Sequence, residues 1–148
     1  MKRINENQFF AQYPEYSNLG ELKKADILIM PLHNRKSFVG GQRDFFRLTQ
    51  DPTINCRFFT EKKDTIPFYA EFSAPPPDLI INFGIAVIST ISGLITIYGF
   101  LKDITKGKRF SIKHIIAIKG DYYDIEEFEG TIEEYEAVHQ EMKSSFEK

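Results

Sequence analysis

The chain has 148 residues, a length typical of one domain, and a formal net charge of −2 from 19 Lys and Arg against 21 Asp and Glu. This balance gives no whole-chain evidence for nucleic-acid binding, so we expect no nucleic-acid partner. Cys56 is the single cysteine, so no disulfide can form within the chain. A reducing compartment is therefore favoured for the part that contains Cys56.

The first part of the chain, residues 1–78, is predicted to be an α/β unit. The apolar run ADILIMPL, residues 25–32, is typical of a buried strand. Residues 42–50 contain several apolar side chains and end before Asp51 and Pro52. Because the residue before a proline disfavours the helical conformation, this pattern predicts a short helix that ends there.

Two β-rich runs complete this part. Residues 54–60 and 66–72 predict a hairpin, with the polar residues between them as its loop. The consecutive prolines of SAPPPD, residues 73–78, predict an extended linker. The sequence therefore indicates three parts in the chain, namely residues 1–78, residues 79–101 and residues 102–148.

The order strand, polar loop, two glycines and helix within residues 25–50 indicates a possible anion site. Backbone N–H groups at a helix N-terminus attract phosphate, and neighbouring cationic side chains add to that attraction. Neither a P-loop nor a dinucleotide-binding fingerprint is present, so the alternative is a solvated loop with turn glycines. The candidate ligand-binding residues are His33, Asn34, Arg35, Lys36, Gly40, Gly41 and Arg43.

The stretch LIINFGIAVISTISGLITIYGFL, residues 79–101, contains no charged residue. It is long enough for a transmembrane helix, for which about 20 apolar residues suffice. The alternatives are a helix buried in a soluble core and a segment that lies in the membrane plane or re-enters the membrane. Small residues at spacings of three and four would share one helical face and let another backbone approach closely. This predicted helix-packing set is Ala86, Ser89, Gly93 and Thr96.

Basic residues are distributed unevenly around this stretch. The fifteen residues after Leu101 contain four lysines and one arginine, whereas the fifteen before Leu79 contain neither. The positive-inside rule then predicts a cytoplasmic-membrane protein whose C-terminal part is cytoplasmic. A single span would export the N-terminal part, and residues 102–148 are few for a unit that folds alone. Both points favour the alternative of a soluble cytoplasmic protein, or a helix that associates with the membrane without crossing it.

Residues 102–148 predict a β-hairpin followed by a helix. Apolar residues alternate along residues 110–118, and Gly120-Asp121 is a two-residue turn signal. Thr131 and Glu134 have the spacing of a capping box before a helix with one apolar face. The predicted fold class is therefore α+β, with a small mixed or antiparallel sheet, one long central apolar helix and a C-terminal β-hairpin plus helix.

No residue pattern indicates a catalytic site, a metal site or a cofactor. His33, His114 and His139 do not form a pair with the spacing of metal ligands, and one cysteine cannot build a zinc site. His114 lies on the apolar face of a predicted strand, which is typical of a core histidine. The acidic run that begins at Asp121 lacks the pattern of an EF-hand loop and indicates a solvated face.

The order of elements from Arg43 onward, about two-thirds of the chain, resembles that of effector-associated constant component proteins of prokaryotic conflict systems. The segments that carry the resemblance are RDFFRLTQDPTINCRFF, the apolar FGIAVISTISGLITIYGFLKDI and the basic KGKRFSIKH with the hairpin and helix after it. The arginine-rich exit from the apolar segment that is usual in that family is represented here by Lys102, Lys106, Lys108 and Arg109. The resemblance implies a non-enzymatic accessory protein that couples a sensor to an effector.

The sequence therefore predicts a non-enzymatic, membrane-associated accessory or adaptor protein. Its expected partners are the membrane and either another protein or further copies of the same chain. The alternative is a soluble α+β module that binds a phosphate-bearing ligand and buries the apolar helix in its core. An enzyme that uses His33 and Asn34 is a third hypothesis, without a visible base and nucleophile pair.

Overall fold

A mixed six-stranded sheet organises the protein, and the computed structural model describes residues 1–14, 24–31, 38–59, 80–118 and 122–147. The strands are β1 (Lys2–Asn5), β2 (Ile27–Met30), β3 (Cys56–Phe58), β4 (Ile81–Ile88), β5 (Phe110–Ile118) and β6 (Tyr122–Gly130). The helices are α1 (Glu6–Gln12), α2 (Phe46–Thr49), α3 (Ile91–Thr105) and α4 (Ile132–Phe146), with a 3₁₀ helix at Gly40–Phe45. The strand order across the sheet is β1-β6-β5-β4-β2-β3.

The sheet contains both kinds of strand pairing. β4 pairs in parallel with β5, and β2 pairs in parallel with β3, whereas the β1–β6, β5–β6 and β2–β4 pairs are antiparallel. Parallel neighbours need a crossover connection, and α3 supplies it between β4 and β5. The predicted α+β class with a mixed sheet is therefore confirmed, and strands from all three predicted parts of the chain join in this sheet.

The prediction of one long helix over residues 79–101 is wrong. The stretch divides into β4 and α3, and Thr90 between them caps α3 by accepting a hydrogen bond from the Gly93 N–H at 3.0 Å. Ile85, Val87 and Ile88 are β-branched residues, which pack well on the pleated surface of a sheet. Among the described residues, no helix combines the length and the apolar character that crossing a membrane requires.

The four small residues expected on one helical face do not share a helix. Ala86 lies in β4 and Ser89 in the turn after it, so only Gly93 and Thr96 belong to α3. Gly93 is nevertheless a point of close approach, because a Cβ atom there would lie 2.5 Å from the carbonyl oxygen of Asp26. α3 therefore approaches the backbone just before β2 at this glycine, and the contact is with the sheet layer.

Both faces of the sheet carry apolar clusters. α3 and α4 cover one face, where Phe45 stacks on Phe100 with ring centroids 4.7 Å apart. α1 covers part of the other face, where Phe9 stacks on Tyr123 at 4.1 Å. Successive side chains of a strand point to opposite faces, so the side chains of β5 alternate between the face covered by α3 and α4 and the face partly covered by α1.

Some of the elements predicted on either side of the apolar stretch are found in the structure, and others lie outside the described residues. The predicted strand over residues 25–32 is β2, and the predicted helix over residues 42–50 is the 3₁₀ helix followed by α2. β3 pairs in parallel with β2, while residues 66–72 and the proline-rich linker lie outside the described residues. The C-terminal hairpin and helix are confirmed as β5, β6 and α4, and the turn predicted at Gly120-Asp121 is outside the described residues.

Candidate functional site

One glycine of the predicted anion site, Gly41, packs against β4. Gly41 has no room for a side chain, because a Cβ atom there would collide with the carbonyl oxygen of Asn82. The buried Gln42 carboxamide accepts a hydrogen bond from the Val39 N–H at 3.0 Å and donates one to the Met30 carbonyl at 3.0 Å. Gly41 thus has a structural use in seating the 3₁₀ helix against β4.

The remaining predicted ligand-binding residues are divided between two regions. Gly40 and Arg43 belong to the 3₁₀ helix, and Arg43 is exposed. Residues 33–36, which include the histidine and the two cationic side chains of the loop, lie outside the described residues. The phosphate site therefore stays a prediction.

His114 and Tyr135 form a buried pair between β5 and α4. His114 Nε2 lies 2.6 Å from the Tyr135 hydroxyl, and its Nδ1 lies 3.2 Å from the Glu126 carbonyl oxygen. Since a carbonyl can only accept, Nδ1–H donates to Glu126 and Nε2 accepts the phenolic proton in the neutral state. Burial lowers the pKa of His114 to about 4 and raises the pKa of Tyr135. Both side chains are sealed from solvent, so they cannot contact a substrate in this conformation.

His139 and Tyr98 extend this cluster toward α3. The His139 ring lies 4.5 Å from the Tyr98 ring, and Tyr98 stacks on Tyr135 at 6.1 Å. Burial, and then the nearby Lys143, lower the pKa of His139. Burial therefore disfavours the charged form of both histidines, and the ring contacts of the cluster tie α3 to α4.

Cys56 is also a structural residue in this arrangement. Its side chain is buried in β3, and burial raises the pKa of its thiol to about 12. A thiol with so high a pKa is protonated at neutral pH and is a poor nucleophile.

The surface of α3 that points away from the sheet combines apolar and cationic residues. Ile91 and Ile95 are 36% and 52% exposed, and a Cβ atom on Gly99 would meet nothing within 4 Å. Lys102 continues this row at helical spacing, and Lys106 adjoins its end as the C-cap residue, in the left-handed conformation. We call this row the outer face of α3, comprising Ile91, Ile95, Gly99, Lys102 and Lys106.

The corresponding surface of α4 is acidic and otherwise small or polar. Its exposed residues on the side opposite the buried stripe form the outer face of α4, comprising Glu133, Glu136, Ala137, Gln140 and Ser144. The outer face of α3 thus carries two positive charges, and the outer face of α4 carries two negative charges.

The two outer faces lie side by side because α3 and α4 are neighbours that run antiparallel. Tyr98 in the middle of α3 contacts Tyr135 and His139, while Arg109 beyond its end lies 3.6 Å from Glu134 at the start of α4. The lysines of α3 are therefore near the acidic beginning of α4, and the isoleucines of α3 are level with its second half. Sequence analysis missed this surface, because the exposed isoleucines belonged to a stretch read as buried or membrane-spanning throughout.

Comparison with known proteins gives no relative. No protein-family model, no curated protein and no solved structure matches the chain. The resemblance to effector-associated constant component proteins consequently stays a proposal based on the order of elements in the sequence.

Proposed function

We propose that the protein is a non-enzymatic accessory or adaptor protein that works as a dimer, with a second copy of the chain docked on the helix layer of α3 and α4. The observation that carries this proposal is the pairing of a cationic, partly apolar outer face on α3 with an acidic outer face on the adjacent α4. Such a surface is complementary to itself, as the symmetric contact of a two-fold dimer requires.

A two-fold axis parallel to the helices would place α3 of each copy on α4 of the other. At matching heights along the helices, Lys102 then meets Glu133 and Glu136 of the partner copy. Ile95 meets Ala137 and Gln140, which are small or flexible enough to leave room for it. Each contact occurs twice in the dimer because the interface is symmetric.

The size of the surface indicates a weak and concentration-dependent dimer. A helix of 15 residues is about 22 Å long, and neighbouring helices lie about 8–10 Å apart, so two outer faces cover roughly 450 Å². Two copies would bury about 900 Å² together, which is below the usual size of a stable interface. Reversible association of this kind suits an adaptor that responds to its own local concentration.

The outer face of α3 could instead bind a membrane surface. This second candidate agrees with the location predicted from the sequence, the cytoplasmic membrane. Exposed isoleucines and lysines favour anionic lipid, with about 1 kcal/mol for each lysine near the headgroups. The acidic outer face of α4 lies in the same helix layer and would be repelled by those headgroups. A protein surface that offers both signs of charge is therefore favoured over a membrane.

The accessory role itself is supported by two observations of different kinds. The buried titratable pair His114 and Tyr135 is closed to solvent, so the pKa shifts of these two residues belong to packing. The order of elements in the sequence resembles that of a family of accessory proteins. Cytoplasmic placement remains part of this proposal.

Charge reversal tests the proposed dimer. Variant A carries Lys102→Glu and Lys106→Glu, and variant B carries Glu133→Lys and Glu136→Lys. Each variant alone puts like charges across the interface, so sedimentation velocity should show a monomer at concentrations where the parent protein dimerises. An equimolar mixture of A and B should regain the dimer, because both interfaces then pair opposite charges.

The controls separate the interface from general charge effects. Lys2→Glu changes an exposed lysine on β1 and should leave the dimer intact. A parent protein that stays monomeric at all concentrations would contradict the proposal, as would a mixture of A and B that fails to associate. Co-sedimentation of a monomeric parent with vesicles containing anionic lipid, abolished in variant A, would assign the outer face of α3 to a membrane instead.

A further inference from the structure

A polar groove lies on the opposite face of the sheet from α3 and α4. It has a volume of about 430 Å³ and is open to solvent. Its floor is formed by β4, β5 and β6, and its polar lining residues are Asn82, Ser111, Lys113, Glu127 and Glu129. Ser111 and Lys113 alternate along β5 with Phe110 and Ile112, which face the helix layer, so the groove and the proposed dimer surface are independent.

A β-bulge shapes the β4 side of this groove. Asn82 pairs with Ser111, but the next described pair is Ile85 with Lys113, so β4 contains one extra residue at this point. Gly84 occupies the bulge with φ +66°, and the Asn82 side-chain oxygen accepts a hydrogen bond from the Gly84 N–H at 2.8 Å. A Cβ atom on Gly84 would lie 2.6 Å from the Gln42 amide nitrogen, so the 3₁₀ helix supports the bulge from the other face.

Lys113 is held in position at the centre of the groove. Its ammonium nitrogen lies 3.3 Å from Glu127 Oε1 and 5.1 Å from the centre of the Tyr13 ring. Burial lowers the pKa of Lys113, but hydrogen bonds to Tyr13 and Glu127 outweigh it and raise the pKa above its ordinary value. Since an ammonium group has three donors, the ion pair with Glu127 does not use all of them, and Lys113 can also donate to a ligand.

Glu129 brings a second carboxylate to the same face of β6. It pairs across the hairpin with Ser111, while Glu127 pairs with Lys113. Lys113 and Glu129 are therefore diagonal neighbours, with Cα atoms roughly 7–8 Å apart, which long side chains can span. Glu127 compensates the charge of Lys113. The carboxylate of Glu129 then gives the groove a net charge of −1.

We propose that this groove binds a small zwitterion of the α-amino acid class, with the ligand carboxylate on Lys113 and the ligand ammonium on Glu129. Asn82 on β4 and Ser111 on β5 line the same groove and can hydrogen-bond polar atoms of the ligand. The net charge of −1 disfavours phosphate and dicarboxylates, because their charge would not be balanced by a second cation in the groove.

Isothermal titration calorimetry of the full chain tests this assignment. The probes are the twenty common amino acids, with acetate, ethylamine and inorganic phosphate as ligands that carry only one kind of charge. At least one neutral amino acid should bind. Acetate, ethylamine and phosphate should each bind at least about tenfold more weakly. Glu129→Gln and Lys113→Met should each weaken amino-acid binding by at least about tenfold.

Matched controls keep the result interpretable. Glu141→Gln and Lys24→Met remove the same charges at exposed positions outside the groove and should leave binding unchanged. Amide NMR shifts on binding should map to β5 and β6 around Ser111 and Glu129. The proposal is overturned if no amino acid binds at up to about 10 mM, if phosphate or acetate binds as well as the amino acids, or if the shifts map elsewhere. The dimer experiment does not share any of these variants, so either proposal can fail alone.

Discussion

His114 on β5 and Tyr135 on α4 share a hydrogen bond of 2.6 Å at a position that is closed to solvent on every side. The histidine also donates to the carbonyl of Glu126, its partner across the hairpin. One side chain thus links both strands of the hairpin to the helix that follows them. Protonation of His114 would disturb this arrangement, because Nε2 could no longer accept the phenolic proton.

The stability of the protein should therefore fall in acid. The pKa of His114 is lowered from 6.5 to about 4 by burial, so below pH 6.5 the unfolded chain binds a proton that the folded chain does not. The stabilisation is complete above pH 6.5 and is lost as the pH falls toward 4. A difference of this size between the pKa of His114 in the unfolded and the folded chain corresponds to about 3 kcal/mol in the free energy of unfolding. The lowered pKa of His139 acts in the same direction.

Urea unfolding at a series of pH values measures this dependence. The comparison protein carries His114→Leu with Tyr135→Phe, which removes both hydrogen-bonding partners together and leaves neither of these side-chain groups unpaired. The free energy of unfolding should fall less steeply between pH 6.5 and 4 in this double variant. Equal slopes in the two proteins would show that His114 does not titrate with a lowered pKa.

Two glycines of α3 should respond in opposite ways to alanine. Gly93→Ala places a methyl group against the carbonyl of Asp26 and should destabilise the fold by about 1–3 kcal/mol through overpacking. Gly99→Ala enters open space and should stabilise the helix by up to about 1 kcal/mol, since alanine is the better helix former. Thermal unfolding of the two variants tests the pair, and similar shifts in Tm would contradict the placement of α3 on β2.

The C-terminal unit could be predicted because its signals are local. Alternation in β5 and the capping box at Thr131, whose N–H donates to Glu134 Oε1 at 3.2 Å, are patterns of a few residues. The division of residues 79–101 depends on a distant residue. Asp26 Oδ1 accepts a hydrogen bond from the Thr90 hydroxyl at 2.7 Å, and the Asp26 carbonyl accepts one from the Ser89 N–H at 3.1 Å. Periodicity within the stretch contains no information about Asp26.

The same distinction applies to the candidate sites. The pairing of Lys113 with Glu127 follows from the register of a hairpin that the sequence predicts. The bulge at Gly84 depends on Gln42, which comes from a separate part of the chain, so the shape of the groove could not be predicted. The outer face of α3 could not be predicted either. Which isoleucines are exposed depends on where the helix begins, and the sequence pattern did not give that residue.

Thermal unfolding in the presence of phosphate tests the loop that is predicted to bind it. If Arg35, Lys36 and the Gly40-Gly41 pair hold an anion, phosphate or a nucleotide should raise the Tm of the parent protein. Arg35→Ala combined with Lys36→Ala should abolish this increase, because two cationic side chains are removed at once. A thermal-shift screen without any phosphate or nucleotide response would exclude this ligand class for the loop.

The division of the apolar stretch into strand and helix can be examined with two lysine substitutions seven residues apart. Ile88 is fully buried in β4, whereas Ile95 is 52% exposed on α3. Ile88→Lys would bury an unpaired charge beneath the helix layer, which typically costs about 3–5 kcal/mol and should unfold or aggregate a protein of this size. Ile95→Lys should change the free energy of unfolding of the monomer by only about 0.5 kcal/mol, since the Ile95 side chain reaches solvent in the single chain.

A continuous apolar helix would give a different result for the same pair. Both positions would then lie near the middle of one membrane-embedded or buried helix, and both lysines would be costly to a similar degree. Soluble expression, circular dichroism and urea unfolding of the two variants distinguish these cases. Folded Ile95→Lys beside unfolded Ile88→Lys is the outcome we expect, because the chain changes from β4 to α3 between the two residues, at Ser89 and Thr90.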